Sequence, residues 1–311
     1  MAIVRTDIPT TSRVTTAAIR EIVAAYPEFC RSTTLTTTAF GRPVEALVIG
    51  RGDRKVLFTA AHHANEWITA TVLLKFAEEL AAAIAGGGTI YGVPAGNLSQ
   101  NVTIHLVPMV DPDGVDLVTG DIEPGSAQYE TALGFADNYP TIPFPDGWKA
   151  NLLGVDLNLQ YPALWLRART IKYAQGYDRP GPRDFVGRAP LTQRESLALA
   201  QYTQEVDPAL VLAYHTQGQV IYWQFLDYVV PGAEELAREF ARVSGYALEE
   251  VPYASGFAGY KDWFIQNFRR PGFTIEAGSG ESPLPLSQFP EIYRDNLGIL
   301  VTAASGLPGG A

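Results

Sequence analysis

His63 and Glu66, in His63-Ala64-Asn65-Glu66-Trp67, follow a short apolar run over 56–61 and open a long helical pattern. An imidazole and a carboxylate three residues apart share one face of a turn and can hold the same ion. His215, which closes the apolar run over 210–214 shortly before Gly218, supplies a third donor. Two imidazoles and one carboxylate, with a coordination position left open, are the donors of a catalytic zinc site; a structural site closes all four positions, usually with cysteines. Only Cys30 is present. HxxE alone also reads as an ordinary helix start, where an early Glu66 favours the positive end of the helix dipole. Scarcity favours the metal, because the chain has four histidines and two of them fall at strand-to-loop transitions, where open α/β folds place ligands. His62 competes at spacing i+4 from Glu66, but extended backbone turns it away from His63. His105, in an apolar run over 102–107, reads as a hydrogen-bonded core residue.

Two further groups could complete such a site. Asp156 and Asn158, in Gly154-Val155-Asp156-Leu157-Asn158, lie on one face of an extended segment. A metal-binding histidine normally donates its other ring N–H to a carboxylate or carbonyl, and Asp156 could be that partner. An Asx turn between Gly154 and Pro162 explains the acid equally well. Glu276 ends the apolar run over 272–275. Facing the ion, it would act as general base, taking a proton from the attacking water and delivering it to the leaving amine. Turned away, it would be a strand-end carboxylate paired with Arg269 or Arg270.

The elements that must position these residues alternate in type. Apolar, β-branched runs predict strands over 44–49, 56–60, 102–107, 210–214, 220–222 and 273–276. Helical periodicity predicts helices over 16–25, 66–83, 192–205, 233–244, 259–267 and 290–303. Alternation of this kind predicts an α/β sheet covered on both faces. The stretch over 111–151, rich in Pro, Gly, Asp and Tyr with little periodicity, is expected to be a long loop on the active-site rim. Cys30 is read into an early helical stretch, and the tail over 306–311 as a frayed end.

Composition bounds the class. With 311 residues, 47% of them hydrophobic and 18% charged, the chain can bury a large core, and no compositional break divides it, so 1–311 reads as one catalytic domain. A formal net charge of −10 disfavours nucleic acid or an anionic membrane surface as partner. An acidic substrate would need a local basic pocket, for which Lys261, Arg183 or Arg188 are available, although each arginine alone reads as solvated surface charge. One cysteine leaves no internal disulfide framework and fits a reducing compartment. No stretch approaches the ~20 apolar residues of a membrane span, so a cytoplasmic enzyme is expected.

In the order HANEW, WKAN, LLGVDLN, AYHTQG and FTIEAG, the chain resembles the zinc carboxypeptidases of the funnelin type over nearly its whole length. Within that family HHANEWIT, GVDLN and YHTQGQVIYW resemble the bacterial branch of γ-D-glutamyl-diamino acid endopeptidases. The resemblance implies a three-layer α/β/α sandwich with a mostly mixed central sheet and Zn²⁺ at the C-terminal edge of its strands. It implies His63, Glu66 and His215 as ligands, Asp156 as the acid orienting a ligand histidine, and Glu276 as general base. Lys149, after Trp148, stands where the family has an arginine that polarises the scissile carbonyl. Asn158 matches an asparagine that holds a terminal carboxylate, but Leu159 replaces the arginine expected beside it, and Asn65 replaces another within HxxE. The phenol that closes over substrate should lie within 251–262, with Tyr253 and Tyr260 both in register.

A bidentate arginine is what lets an exopeptidase recognise a free C-terminus. Its absence weakens an ordinary carboxypeptidase assignment, and the resemblance to the endopeptidase branch implies hydrolysis of the γ-D-glutamyl to L-diamino acid bond, with diaminopimelate or lysine as the diamino acid, in peptidoglycan-derived stem peptides. The alternatives are a general metallocarboxypeptidase, a same-fold amidohydrolase acting on N-acyl amino acids, and a catalytically silent peptide-binding protein. A serine or cysteine hydrolase has no support: GxSxG is absent and no histidine lies near Cys30 in sequence.

Overall fold

The computed structural model describes residues 2–306, so nearly all of the tail expected to fray lies outside the described residues. In chain order the elements begin α1 (Ser12–Ala25), β1 (Cys30–Thr37), β2 (Pro43–Gly50), β3 (Arg54–Thr59), α2 (Ile68–Ala85), β4 (Thr89–Ile90) and β5 (Val93–Pro94). They continue α3 (Ala95–Asn101), β6 (Val102–Val107), α4 (Pro112–Val118), α5 (Ala127–Ala136), α6 (Trp165–Ala174), α7 (Arg194–Val206) and β7 (Leu210–His215). The last third holds β8 (Val220–Tyr222), α8 (Ala233–Ser244), β9 (Ala247–Leu248), α9 (Tyr260–Phe268), β10 (Gly272–Glu276) and α10 (Phe289–Ser305). Eight strands form one sheet in the order β1-β2-β6-β3-β7-β10-β8-β9. Its centre, β6-β3-β7-β10, is parallel, while β1, β2 and β8 join antiparallel to their inner neighbours.

The central strands read as continuous apolar runs because helices cover both faces. Successive side chains alternate between the layers. Phe58, Leu212 and Phe273 pack with α2, α8 and α10 in one cluster, whereas Leu57, Val211 and Ala213 pack with α7 and α9 in the other. Truncating a buried aromatic such as Phe58 to alanine would cost about 3–5 kcal/mol. Among the described residues, no helix is long and apolar enough to cross a membrane.

Three expectations are corrected. Cys30 opens β1 and lies in no helix. That strand is an edge whose residues Arg31–Thr34 are all exposed, so its threonine-rich sequence carries no apolar alternation to mark it. The predicted loop over 111–151 contains α4 and α5. Asp111 and Ser126 cap these helices by accepting from Gly114 and Tyr129 N–H, and the apolar residues Leu117, Ala132, Ala136 and Trp148 form a small core of their own beneath Ala64. Of this stretch only Lys149, near its end, lines the pocket. Finally, the helix expected from residue 66 begins at Ile68, after a separate 3₁₀ turn at Ala64–Glu66.

Candidate active site

Three neighbouring parallel strands, β3, β7 and β10, end along one edge of the sheet, with Thr59 opposite Ala213 and Glu276 opposite His215. Beyond β3 the chain turns at Ala61 (φ 46°) and becomes extended again at His63, which precedes the 3₁₀ turn. Side chains at i and i+3 of a 3₁₀ turn eclipse one another. Accordingly, His63 Nδ1 lies 2.9 Å from Glu66 Oε1, and His215 Nδ1, at the last residue of β7, lies 2.9 Å from Glu66 Oε2 and 3.2 Å from His63 Nδ1. One ligand atom from each of these buried residues lies within 4.8 Å of the others. Two ring nitrogens aimed at each other across a carboxylate require a cation or a proton between them, so the arrangement fits a metal ion.

His63 uses its other nitrogen: Nε2 lies 3.2 Å from Asp156 Oδ1. That oxygen also accepts from Asn158 N–H (3.1 Å), and Asp156 Oδ2 accepts from Asp184 N–H (3.3 Å). The two readings of Asp156, a turn former and a histidine partner, therefore hold together. Against the burial penalty, His63 and Lys149 keep the Asp156 carboxyl well below the usual range. Burial works the same way against Glu66, and His63, Lys149 and His215 outweigh it. His62 is turned away from the ligand set, fully buried and stacked on the His215 ring at 5.4 Å between centroids. His105 is a core residue bonded to Tyr202 Oη at 2.7 Å.

Glu276 ends β10 beside this cluster and lines the same pocket, whose volume is about 320 Å³. Neither arginine expected as its partner reaches it: Arg270 binds Asp207 at 2.7 Å and Arg269 lies over the Tyr228 ring at 3.7 Å. Burial pushes the Glu276 carboxyl above its ordinary range, helped by nearby Glu66 and opposed by His215 and Lys149. Lys149 Nζ lies 2.9 Å from Glu66 Oε1, and its charge is retained because Glu66 outweighs the burial that disfavours it.

The substrate-binding expectations fare differently. Lys261 lines the pocket, but its ammonium is buried, donating to Gln224 O at 2.6 Å and paired with Asp262 at 2.5 Å, so it offers no free charge. Tyr260 borders the pocket, but its side chain is buried and its phenol bonds Thr203 Oγ1 at 2.9 Å, so the hydroxyl is engaged away from the substrate. Tyr253 is 68% exposed but lines an adjoining hollow with Phe257, Glu249 and Glu250. Asn158 does line the pocket, with Oδ1 engaged by Tyr260 N–H at 3.0 Å. Asn65 holds the Asp146 and Ser282 carbonyls. Arg188 is exposed and lies outside the pocket, whereas Arg183 lines it. Tyr222, Lys172 and Asp184 also line it and were not foreseen. Lys172 sits on α6, whose apolar residues show little helical periodicity, and Asp184 lies in an irregular loop, so nothing in their spacing marked them.

A buried His/Glu/His set and an unpaired carboxylate at the C-terminal edge of a mixed α/β sheet define a metal-dependent hydrolase. Residues 15–298 match the zinc carboxypeptidase family, and the chain belongs to it, which makes the protein a zinc metallopeptidase. It is 43% identical over 283 residues to γ-D-glutamyl-L-diamino acid endopeptidase 1 of Lysinibacillus sphaericus, covering 91% of this chain and 69% of that one. In fold it is similar to carboxypeptidase A from Helicoverpa armigera (TM-score 0.72, 17% identity, 97% of this chain and 75% of that one). It is also similar in fold to murein-tripeptide amidase MpaA from Escherichia coli O157 (TM-score 0.57, 19% identity, 94% and 97%).

Proposed function

We propose that the protein hydrolyses the amide between the γ-carboxyl of D-glutamate and the amino group of an L-diamino acid in peptidoglycan-derived peptides, as one catalytic domain spanning the chain. The observation that carries this reading is Leu159: buried and apolar, it stands beside Asn158 where an exopeptidase needs a guanidinium fork for a free C-terminus. The endopeptidase relative, similar over most of the chain, supports the same bond. The free, buried Cys30 fits a reducing compartment, and recycled wall peptides in the cytoplasm are the setting this reading implies.

His63, Glu66 and His215 would hold zinc, which when bound supplies Lewis acidity toward the scissile carbonyl and the attacking water. Asp156 fixes the tautomer and orientation of the His63 ring. Glu276 takes a proton from water as its oxygen bonds to the γ-carbonyl carbon. The carbon–nitrogen bond then breaks, and Glu276 returns the proton to the departing amine, leaving a γ-carboxylate and a free diamino acid. Lys149 stabilises the charge that develops on the carbonyl oxygen; a positioned donor of this kind contributes on the order of 10²–10³ in rate. As a point charge, it does so without the directionality of a guanidinium.

The test is a side-by-side comparison of kcat/KM on L-Ala-γ-D-Glu-diaminopimelate and on hippuryl-type carboxypeptidase substrates, with products located by mass spectrometry. The stem peptide is expected to be cut between D-Glu and the diamino acid and to be strongly preferred. Preference for hippuryl substrates would restore a general metallocarboxypeptidase. Preference for short N-acyl amino acids would mark an amidohydrolase, and binding without turnover a silent peptide-binding protein.

A further inference from the structure

Four cationic side chains line the pocket, and three have their charge engaged by the protein. Lys149 lies on Glu66, Lys261 on Asp262 and the Gln224 carbonyl, and Lys172 on Asp184 at 2.5 Å with only 7% of its side chain exposed. Arg183 is the exception. Its Nε donates to Asp184 Oδ2 at 2.6 Å, its side chain is 42% exposed, and its two terminal nitrogens donate to no described residue. Lys172 and Arg183 share the single carboxylate of Asp184, so the cluster carries one net positive charge at the pocket wall.

This cluster is a built structure. Asp184 has left-handed backbone (φ 65°), which aspartate tolerates better than most residues. Here Lys172 and Arg183 hold its carboxylate while its N–H donates to Asp156. The loop is docked by Gly154, whose carbonyl accepts from Gly181 N–H at 3.1 Å; a Cβ on Gly154 (φ 69°) would fall 2.7 Å from that nitrogen. Pro182 O accepts from both Lys149 and Ala150 N–H, at 2.7 and 2.8 Å, so Arg183 is tied to the segment that carries Lys149.

We infer that Arg183 binds the free α-carboxylate of the γ-linked glutamyl residue, and is thereby a specificity-determining residue; the inference rests on the activity proposed above. Lys149 is assigned to the scissile carbonyl, so its segment lies against the acyl half of the substrate, and Arg183 with it. An ordinary α-linked residue presents a neutral amide in that half. A γ-linked glutamyl residue presents a carboxylate a short aliphatic spacer from the scissile carbonyl, and the unengaged terminal nitrogens form the fork that suits it. Asp184 aligns the guanidinium from behind, and Lys172 keeps Asp184 from neutralising it.

The experiment compares L-Ala-γ-D-Glu-diaminopimelate with the same peptide carrying an α-carboxamide (D-isoglutamine), using wild type, Arg183→Gln and Arg183→Lys, each loaded with zinc. Wild type is expected to favour the carboxylate substrate in kcat/KM by roughly 10- to 150-fold, the range for a charge-assisted hydrogen bond. Arg183→Gln should lose that preference, mainly through KM, with a much larger fall on the carboxylate peptide than on the amide. Arg183→Lys, which keeps charge without the fork, should fall between. If wild type cuts both peptides and Arg183→Gln slows both equally, or keeps the full preference, the assignment to Arg183 is overturned while the activity stands. If wild type cuts neither peptide, the activity itself fails and the assignment with it.

Discussion

His63, His215 and Glu276 sit at or just beyond the ends of three adjacent parallel strands, and Glu66 lies one short turn further on. Lys149, Lys172, Arg183, Asp184, Lys261 and Asp262, which line the same pocket, come from connecting loops and from α6 and α9. On the strand edge, backbone ladders place each Cα, and the side chains converge because the register leaves them no other direction. On the loop wall the reverse holds: ion pairs among the side chains help to fix the backbone, so most of the charge there is engaged in holding the wall. A charged residue in a pocket is therefore a functional candidate only after its partners are known.

The largest effects should come from the strand edge, and they separate holding the ion from doing chemistry. His215→Ala should lose most of the bound zinc and essentially all turnover while retaining a wild-type far-UV spectrum, because the sheet does not depend on the imidazole. Glu276→Gln should keep zinc and peptide binding but lose a factor on the order of 10²–10⁴ in kcat, the usual contribution of general acid–base catalysis. Elemental analysis beside the rate decides both. Unchanged zinc in the first variant, or near-normal turnover in the second, would break the division of labour assigned to this edge.

The same contrast explains what could be read without coordinates. β6 matches its expected boundaries and β7 and β10 differ by one residue, because apolar runs flanked by turn residues specify central strands almost alone; β8 and the amphipathic α8 match as well. His215 and Glu276 were legible for that reason: each is a polar residue interrupting such a run at its end. The wall was not legible. Lys261 stood as an available cation, yet Asp262 beside it neutralises it and the carbonyl of Gln224, 37 residues away in sequence, accepts from its ammonium. Tyr260 and Tyr253 could not be separated by spacing, and burial against Thr203 is what removes Tyr260. Arg183 and Arg188 read as surface charge because nothing in sequence says that Gly154 docks the loop bearing one of them into the pocket.

If Lys261 holds structure and not substrate, Lys261→Met should act on stability. Removing one member of a buried pair strands the other charge and costs about 3–5 kcal/mol, and Asp262 would be left with only its contact to the Gly259 N–H. The midpoint of urea unfolding should fall, while kcat/KM of the protein that remains folded should change less than about threefold, in keeping with a side chain that offers substrate no free charge. Loss of KM with stability intact would return Lys261 to the substrate and blur the contrast between the two regions.

The smallest predicted effect lies behind the wall, where carboxylates are buried without enough cations. Glu195, at the start of α7, is 3% exposed, and burial, reinforced by Asp113 and only partly offset by its own backbone, Asn151 and Arg194, raises its carboxyl from 4.5 to about 7. Asp111, also buried, is raised well above its ordinary range, first by burial and then by Glu195. A folded-state pKa above the unfolded value means that the native protein holds the proton more tightly. The contribution to stability is therefore full below pH 4.5 and lost as pH rises through about 7. Glu195→Gln imitates the protonated form at every pH. Its advantage over wild type should be under about 1 kcal/mol near pH 5 and reach about 3 kcal/mol at pH 8, as expected for a shift of this size. Urea unfolding at the two pH values, with bound zinc held constant, measures the difference. Parallel stability curves would mean that Glu195 reaches water or a cation in solution, and that the region behind the wall is as well compensated as the ion pairs facing the pocket.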